Sequence, residues 1–457
     1  MEPIVPPGRK EVGGGNAEEN VQNSVHWTRR RVLGASLAGV ALLGTSRLTT
    51  ALAAPAIRKG SKLTFWGGLI FSDAANKLLT DTVTKWGADN GVSTEVVMIN
   101  QNETVQKVSA AVQAGSMPDV LDVGLDLLAV LSKQGVFIPL DDLYGSIGMA
   151  QGGWYPGIDK ASALPDGRTG VPFGVSGNLL LRRDDLLKPA GFPDAPKTWA
   201  ELAKQALAVT QPPVFGLGLA LSKVGDGNVQ MSVLQSYGGR IGDDAGKNAA
   251  IKSDATKEYL AWVKDAWDKH LFPPGNTTWD GAGDNQAYLA GQAAFIANTG
   301  SVGIAAKTQD PDLYAGTLYS SLPGGPKGVV SPLAPQLRAI PKTSQNQDTA
   351  MALIEFLAQP EFLSAYYAEA IYGPVLAAQA KFKAFDGSDP IHAGLLDLVT
   401  HGTAPGAPDV YNTAYADISS NFIIPRMVQR VVIDNWDFDK AIDEAQSQAQ
   451  SIYDKYK

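Results

Sequence analysis

Apolar positions recur along this chain at two spacings: short unbroken or alternating runs that predict strands, and steps of three and four that predict helices. Residues 63–66, Leu-Thr-Phe-Trp, read as a short buried strand ended by Gly67 and Gly68. Leu78, Leu79, Val83 and Trp86 share one helical face, and 95–99 is the second strand. Val105, Val108 and Val112 mark another helix, stopped by Gly115 with Pro118 beyond it, before a third strand at 119–123. This alternation predicts an α/β fold with a mostly parallel sheet and helices on both faces. Ligands of such sheets bind beyond the carboxyl ends of the strands, and Trp66, Asn100 and Asp126 are each placed just past one.

The pattern changes at 166–206. Asp166-Gly167 is a turn dipeptide, 169–175 is an apolar strand carrying glycines, and 178–181 is a second short strand. Gly174 and Gly177 bracket Ser176, which places a small polar side chain in a seam with backbone close on both sides; an ordinary strand pair with loop glycines explains the spacing equally well. Thr198-Trp-Ala-Glu201 is a capping box that opens a helix. Such a segment suits a chain leaving one lobe and founding another.

Further on, 215–221 is apolar, 224–230 opens a helix that ends at Tyr237-Gly-Gly, and Tyr259, Val263, Ala266 and Trp267 form the inner stripe of a helix begun at Ser253-Asp254. Capping alone accounts for Asp226 and Asn228 at the first of these entrances. Ala350, Leu353, Ile354 and Leu357 repeat an i, i+3, i+4, i+7 face, 360–370 is the next helix, and 438–453 is a polar terminal one.

A length of 457 residues exceeds one ordinary core and predicts two domains or two lobes. Formal net charge is −8, which argues against a nucleic-acid binder. The absence of cysteine removes disulfides, thiol catalysis, thiolate metal sites and a lipid-modified cysteine. Residues 1–25 lack apolar period and read as disordered. Arg29-Arg30-Arg31, an uncharged run over 32–46 and Ala51-Leu52-Ala53 have the layout of a secretory signal. The expected secreted form lacks 1–53, carries a charge near −10 and is free in the periplasm. An uncleaved anchor helix is the alternative.

Several motifs resemble bacterial extracellular solute-binding proteins of the maltose-binding type, the receptors of ABC importers. They are Gly115-Ser-Met-Pro-Asp-Val120, Gly135-Val-Phe-Ile-Pro-Leu-Asp141, Asp166-Gly167-Arg168 with Gly170-Val171-Pro172, Pro196-Lys-Thr-Trp-Ala-Glu-Leu202, and Gly291-Gln-Ala-Ala-Phe295 with Gly300. The paired arginines likewise resemble a twin-arginine signal, which implies the twin-arginine export machinery as a partner. The resemblance implies a two-lobed periplasmic-binding-protein fold of type II, its discontinuous lobes joined by hinge crossings. Lobe 1 is expected from 57–173 with 330–371, and lobe 2 from 174–329 with 372–457. It also implies a sugar or polyol ligand, a membrane permease as partner, a monomer and no cofactor; the 277–284 loop lacks the acidic spacing and terminal Glu of a calcium loop, so no metal is assigned to it.

By register with the family, Asp126 is expected to accept from sugar hydroxyls, although a helix N-cap fits it as well. Asp226, Asn228 and Gln230 fall where relatives face the ligand at a helix entrance. Asn298 and Ser301 lie in the element that usually delivers a stacking Trp; Ser301 stands in that Trp's place, which implies a smaller or differently oriented ligand. Tyr372 borders the cleft or plugs a helix end, and Asn421 and Phe422 fall near an aromatic register under the ligand. Trp66 is expected to cover the apolar face of a ring.

No Gly-x-Ser-x-Gly, Walker loop, His-Glu-x-x-His or Gly-x-Gly-x-x-Gly is present, and the four histidines have no partner at metal-ligand spacing. Two other readings stand beside the sugar receptor. One is a polyamine receptor of the same fold, which needs acids boxed by aromatics. The other is a glycan hydrolase or lyase with two converging carboxylates. An anionic ligand would need arginine at the cleft positions, which carry none.

Overall fold

The computed structural model describes residues 55–457 apart from Phe71, Pro165 and Asp166, so the expected signal segment and the first residue of the 166–167 turn lie outside the described residues. Its strands, in chain order, are β1 (Lys62–Leu69), β2 (Ser93–Asn100), β3 (Val120–Gly124), β4 (Gly170–Ser176), β5 (Leu179–Arg183), β6 (Phe215–Leu217), β7 (Ala293–Asn298), β8 (Thr317–Ser320), β9 (Gly324–Gly325), β10 (Gly328–Val329) and β11 (Ala334–Ala339). They form two main sheets, β2-β1-β3-β11-β4 and β6-β7-β5-β8, each the centre of one lobe. β1 runs parallel to β2 and β3, as the strand–helix alternation predicts. β11 returns late in the chain and inserts antiparallel between β3 and β4.

Local chemistry sets the helices. Asp73–Asn90 begins where the Ser72 hydroxyl accepts from the Ala75 N–H at 3.1 Å and ends at Gly91 in the left-handed region, φ 68°. Its inner face buries Leu79, Val83 and Trp86 against Leu63 and Phe65 of β1. Complete burial of a side chain such as Leu79 contributes about 1.5–3 kcal/mol. In the second lobe Trp199–Val209 starts at Thr198, whose hydroxyl accepts from the Glu201 N–H at 3.1 Å. The Glu201 carboxylate reaches back to the Lys197 N–H, one residue beyond the Thr198 N–H of a standard capping box. A separate apolar cluster on that side joins Trp199, Leu202 and Phe295 to Val428 and Ile442 of the closing helices Ile423–Val432 and Phe438–Lys455.

Three chain segments pass between the sheets. β4 leads to β5 through Gly177 and Asn178, and 330–333 lead back into β11. The third is strapped to β4, since Val175 and Gly373 exchange both backbone hydrogen bonds at 3.2 and 2.7 Å. Beyond it, Val375, Ala377 and Ala378 bond to Tyr155, Gly153 and Gln151 on the first-lobe side, before the Pro390–His401 helix packs on β8. Gly174 makes the strap possible: a Cβ there would come within 2.8 Å of the Tyr372 ring, so that ring can lie directly on β4.

Candidate ligand-binding cleft

A cavity of about 580 Å³ opens between the lobes. Its first-lobe wall is the turn from β3 into the Leu125–Lys133 helix, with Phe173 of β4 and Gln336 of β11. Its second-lobe wall is the helix Val229–Ser236, through Met231 and Ser232, and the helix Thr413–Ser420, through Tyr415 and Ser419. Tyr411, just before that helix, and Tyr366 and Tyr372 complete the aromatic surface.

The floor is built from a cross-strand pair. Asp122 of β3 stands opposite Arg338 of β11, and such partners share a sheet face. Arg338 Nε donates to Asp122 Oδ1 at 3.1 Å, and the guanidinium lies 4.0 Å above the Phe173 ring. Phe173 meets Tyr372 edge-on, centroids 5.9 Å apart at 87°. Arginine, carboxylate and two aromatic rings therefore form one packed unit beneath the cavity, with Asp122, Phe173 and Tyr372 lining it. Burial pushes the Asp122 carboxyl up to about 6, against the pull of Arg338.

Asp126 sits one turn above. The N-cap of its helix is Gly124, so Asp126 lies in the first turn rather than at the cap, where the helix dipole favours its charge. Its carboxylate accepts from the Tyr411 hydroxyl, a contact that spans the cleft. Burial, then the neighbouring Asp126 charge, hold that phenol well above its ordinary range.

Of the residues expected at the site, Asp126, Asn228 and Tyr372 line this cavity. Asn228 Nδ2 donates to the Ser419 carbonyl at 3.2 Å and hydroxyl at 3.0 Å, tying the two second-lobe walls together. Its Oδ1 is buried and accepts from no described residue.

The other nine fall elsewhere. β1 runs to Leu69 rather than stopping at Gly67-Gly68, because Gly67 fits tightly against Met98 of β2, where a Cβ would lie 2.7 Å from Sδ. Trp66 is therefore mid-strand, opposite Val97 and Leu121, is partly buried against the apolar cluster that includes Val108 and Leu121, and does not line the cavity. Asn100 ends β2 and is exposed. Ser176 donates to the Ala334 carbonyl at 3.4 Å in the crossing. Gln230 is fully buried and accepts from the Tyr259 hydroxyl at 2.9 Å, because helix register turns it inward.

Asp226, Asn298 and Ser301 belong to a second polar network. Asn298 Nδ2 donates to Asp284 at 3.2 Å and to Asn285 at 2.7 Å, while its Oδ1 accepts from the Gly300 N–H and the Ser301 hydroxyl, each at 3.2 Å. Burial and the Asp284 charge raise Asp226 to about 6. Asn421 closes the Thr413–Ser420 helix by donating to Asp417, and Phe422 follows in the left-handed region at φ 53°.

Sequence reasoning missed Asp122, Phe173, Tyr366, Met231 and the Tyr411–Tyr415 pair. The i, i+4 spacing of those last two tyrosines at a helix start was the available signal. Among the described residues no three His, Cys, Asp or Glu gather as a metal site.

Comparison with known proteins bears on the fold. A protein of Brucella abortus (strain 2308) named as a binding protein is 22% identical over 369 residues, 80% of this chain and 87% of its own. The sugar-binding protein MalE from Xanthomonas citri superposes with a TM-score of 0.73 at 20% identity, over 86% of this chain and 98% of its own. An ABC transporter solute-binding protein from Thermotoga lettingae, solved with α-D-tagatose, gives 0.69 at 23%, over 86% and 100%. These likenesses establish the two-lobed fold. Residues 81–390 match the family described as bacterial extracellular solute-binding protein, and the chain belongs to that family.

Proposed function

We propose that this protein is the solute receptor of an ABC importer, that it takes a sugar or polyol into the interlobe cleft, and that it hands the solute unchanged to a membrane permease. The observation that carries the reading is the meeting of Asp126 and Tyr411 across a cavity floored by Phe173 and Tyr372. A carboxylate accepts from vicinal hydroxyls, and aromatic faces cover the apolar side of a ring. The sugar-binding and tagatose-bound proteins of the same fold support this ligand class.

Lobe closure runs about the crossings at 177–178 and 330–333, excludes water, and presents the permease with a distinct surface. Export by the twin-arginine route, a periplasmic location and a monomeric state belong to the same reading.

Calorimetric titration of the protein with hexoses, maltose, tagatose and alditols tests it. One-to-one saturable binding is expected, weakened about tenfold by Asp126→Ala, which is ~1.4 kcal/mol. Absence of saturable binding across the panel overturns the reading. Release of reducing ends from a glycan replaces it with an enzyme.

A further inference from the structure

The charge on the cleft wall narrows the solute further. Among the described residues that line the cavity, Asp122 and Asp126 carry charge, and no Lys, Arg or His does. The two carboxylates are not equivalent. Asp122 is offset from beneath by Arg338, which is itself buried, and its Oδ2 accepts from no described residue. Asp126 makes no ion pair among the described residues; its partner is the neutral Tyr411 hydroxyl. The cleft therefore holds one uncompensated and solvent-exposed negative charge, touched by the Tyr411 ring's hydroxyl, in a cavity that Phe173, Tyr366, Tyr372 and Tyr415 also line.

Shutting the lobes strips water from that carboxylate. Desolvating a carboxylate costs several kcal/mol unless a counter-charge or several donors replace the lost solvent. One phenol hydroxyl supplies a single donor. A ligand ammonium supplies both charge and donors, and tyrosine faces attract it further through their quadrupoles. An anionic solute meets like charge with no arginine or lysine to receive it, so the same wall rejects it.

We propose, building on the receptor reading above, that the solute is a hydroxylated amine such as an amino sugar or amino-alditol. Its ammonium pairs with Asp126, and its hydroxyls reach Asp122 Oδ2 and the second-lobe wall.

The test is titration calorimetry near neutral pH with matched probes: D-glucosamine, D-glucose and D-glucuronate, and 1-amino-1-deoxy-D-glucitol against D-glucitol. The amine of at least one pair is expected to bind about tenfold tighter than its hydroxyl counterpart, ~1.4 kcal/mol, with no heat from glucuronate. Asp126→Asn, which keeps the shape and removes the charge, is expected to bring that ratio close to one; a thermal melt confirms that the variant is folded. A preference below about fivefold, or one that persists in Asp126→Asn, overturns the amine assignment and leaves the receptor reading standing. Glucuronate binding as tightly as the amine also overturns it. Failure of every probe, together with the hexose and alditol panel above, overturns both.

Discussion

Two arginine–aspartate pairs among the described residues have both side chains less than a tenth exposed, one in each sheet. Arg182 and Asp184 lie two residues apart where β5 ends, and Arg338 and Asp122 are 216 residues apart on neighbouring strands. The Arg182 pair is over-supplied: Asp184 also meets Lys188 Nζ at 2.5 Å, and Arg182 donates to the Pro193 carbonyl at 2.9 Å. Neither residue lines the cleft, and the pair anchors the strand end to the following loop. The Arg338 pair has one cation for one carboxylate, and that carboxylate opens on the cleft. Burial of a charge pair is thus a poor mark of function. What distinguishes the Arg338 pair is a carboxylate that lines the cavity and has a single cation beside it among the described residues.

The largest expected effect separates the two pairs directly. Arg338→Met strands Asp122 in the floor with no cation and should cost about 3–5 kcal/mol in denaturant unfolding, the usual loss when one partner of a buried pair is removed. Arg182→Met leaves Asp184 with Lys188 and should cost about half as much or less. Replacing both members, Arg338→Met with Asp122→Leu, should recover most of the loss, because two apolar groups need no partner. Equal losses from the two arginine variants would erase the distinction.

Titration sharpens it next. Native Asp122 holds its proton to about pH 6, against an ordinary 3.8. Between these values the native state binds more protons than the unfolded chain, so the Asp122 contribution to stability falls as pH rises from about 4 to about 6 and is flat outside that window. The slope is at most on the order of 1.4 kcal/mol per pH unit. Asp226 titrates in the same direction over the same range, so the measurement is the difference between wild type and Asp122→Asn. That difference should vanish if the carboxylate is not desolvated.

A third, smaller effect concerns ligand. Asp122→Asn should weaken binding by about 1.5 kcal/mol, the lower end of the scale for one hydrogen bond to a charged acceptor. Asp184→Asn, remote from the cleft, should leave the Kd unchanged in calorimetry with the same probe. A shift from Asp184→Asn comparable to that from Asp122→Asn would mean that the floor acts through general stability rather than contact.

The sequence carried most of the elements because their signals are local. The stripe Leu79, Val83, Trp86, the Ser253 cap that accepts from Thr256 N–H at 3.2 Å, and the Thr198 box all depend on residues within one or two turns. Asp126, expected from register with the Pro-Asp motif, and Tyr372, expected from the loop after the 360–370 helix, both line the cavity. It failed where geometry depends on packing between distant segments. Nothing near Asp122 indicates that β11 will arrive beside it with Arg338. Gln230 follows the same helix entrance as Asn228, yet two residues rotate it through some 200° into the core. Trp66 was misplaced because glycine doublets usually end strands, whereas here Gly67 fits the face of β2.

The smallest effect tests why the second-lobe pair is insensitive. Lys188 is more than half exposed, and an exposed partner contributes typically 1 kcal/mol or less and is screened by salt. Lys188→Ala alone should therefore cost about 0.5 kcal/mol and less at high ionic strength. In the Arg182→Met background the same change removes the remaining cation from Asp184 and should cost clearly more, which gives a coupling energy of about 1 kcal/mol or greater in a double-mutant cycle. Among the described residues the cleft pair has no second cation, so no lysine change there should produce such coupling at Asp122. A coupling of zero at Asp184 would mean that Lys188 does not share its charge, and the spare cation would no longer explain why one pair is structural and the other is free to serve a ligand.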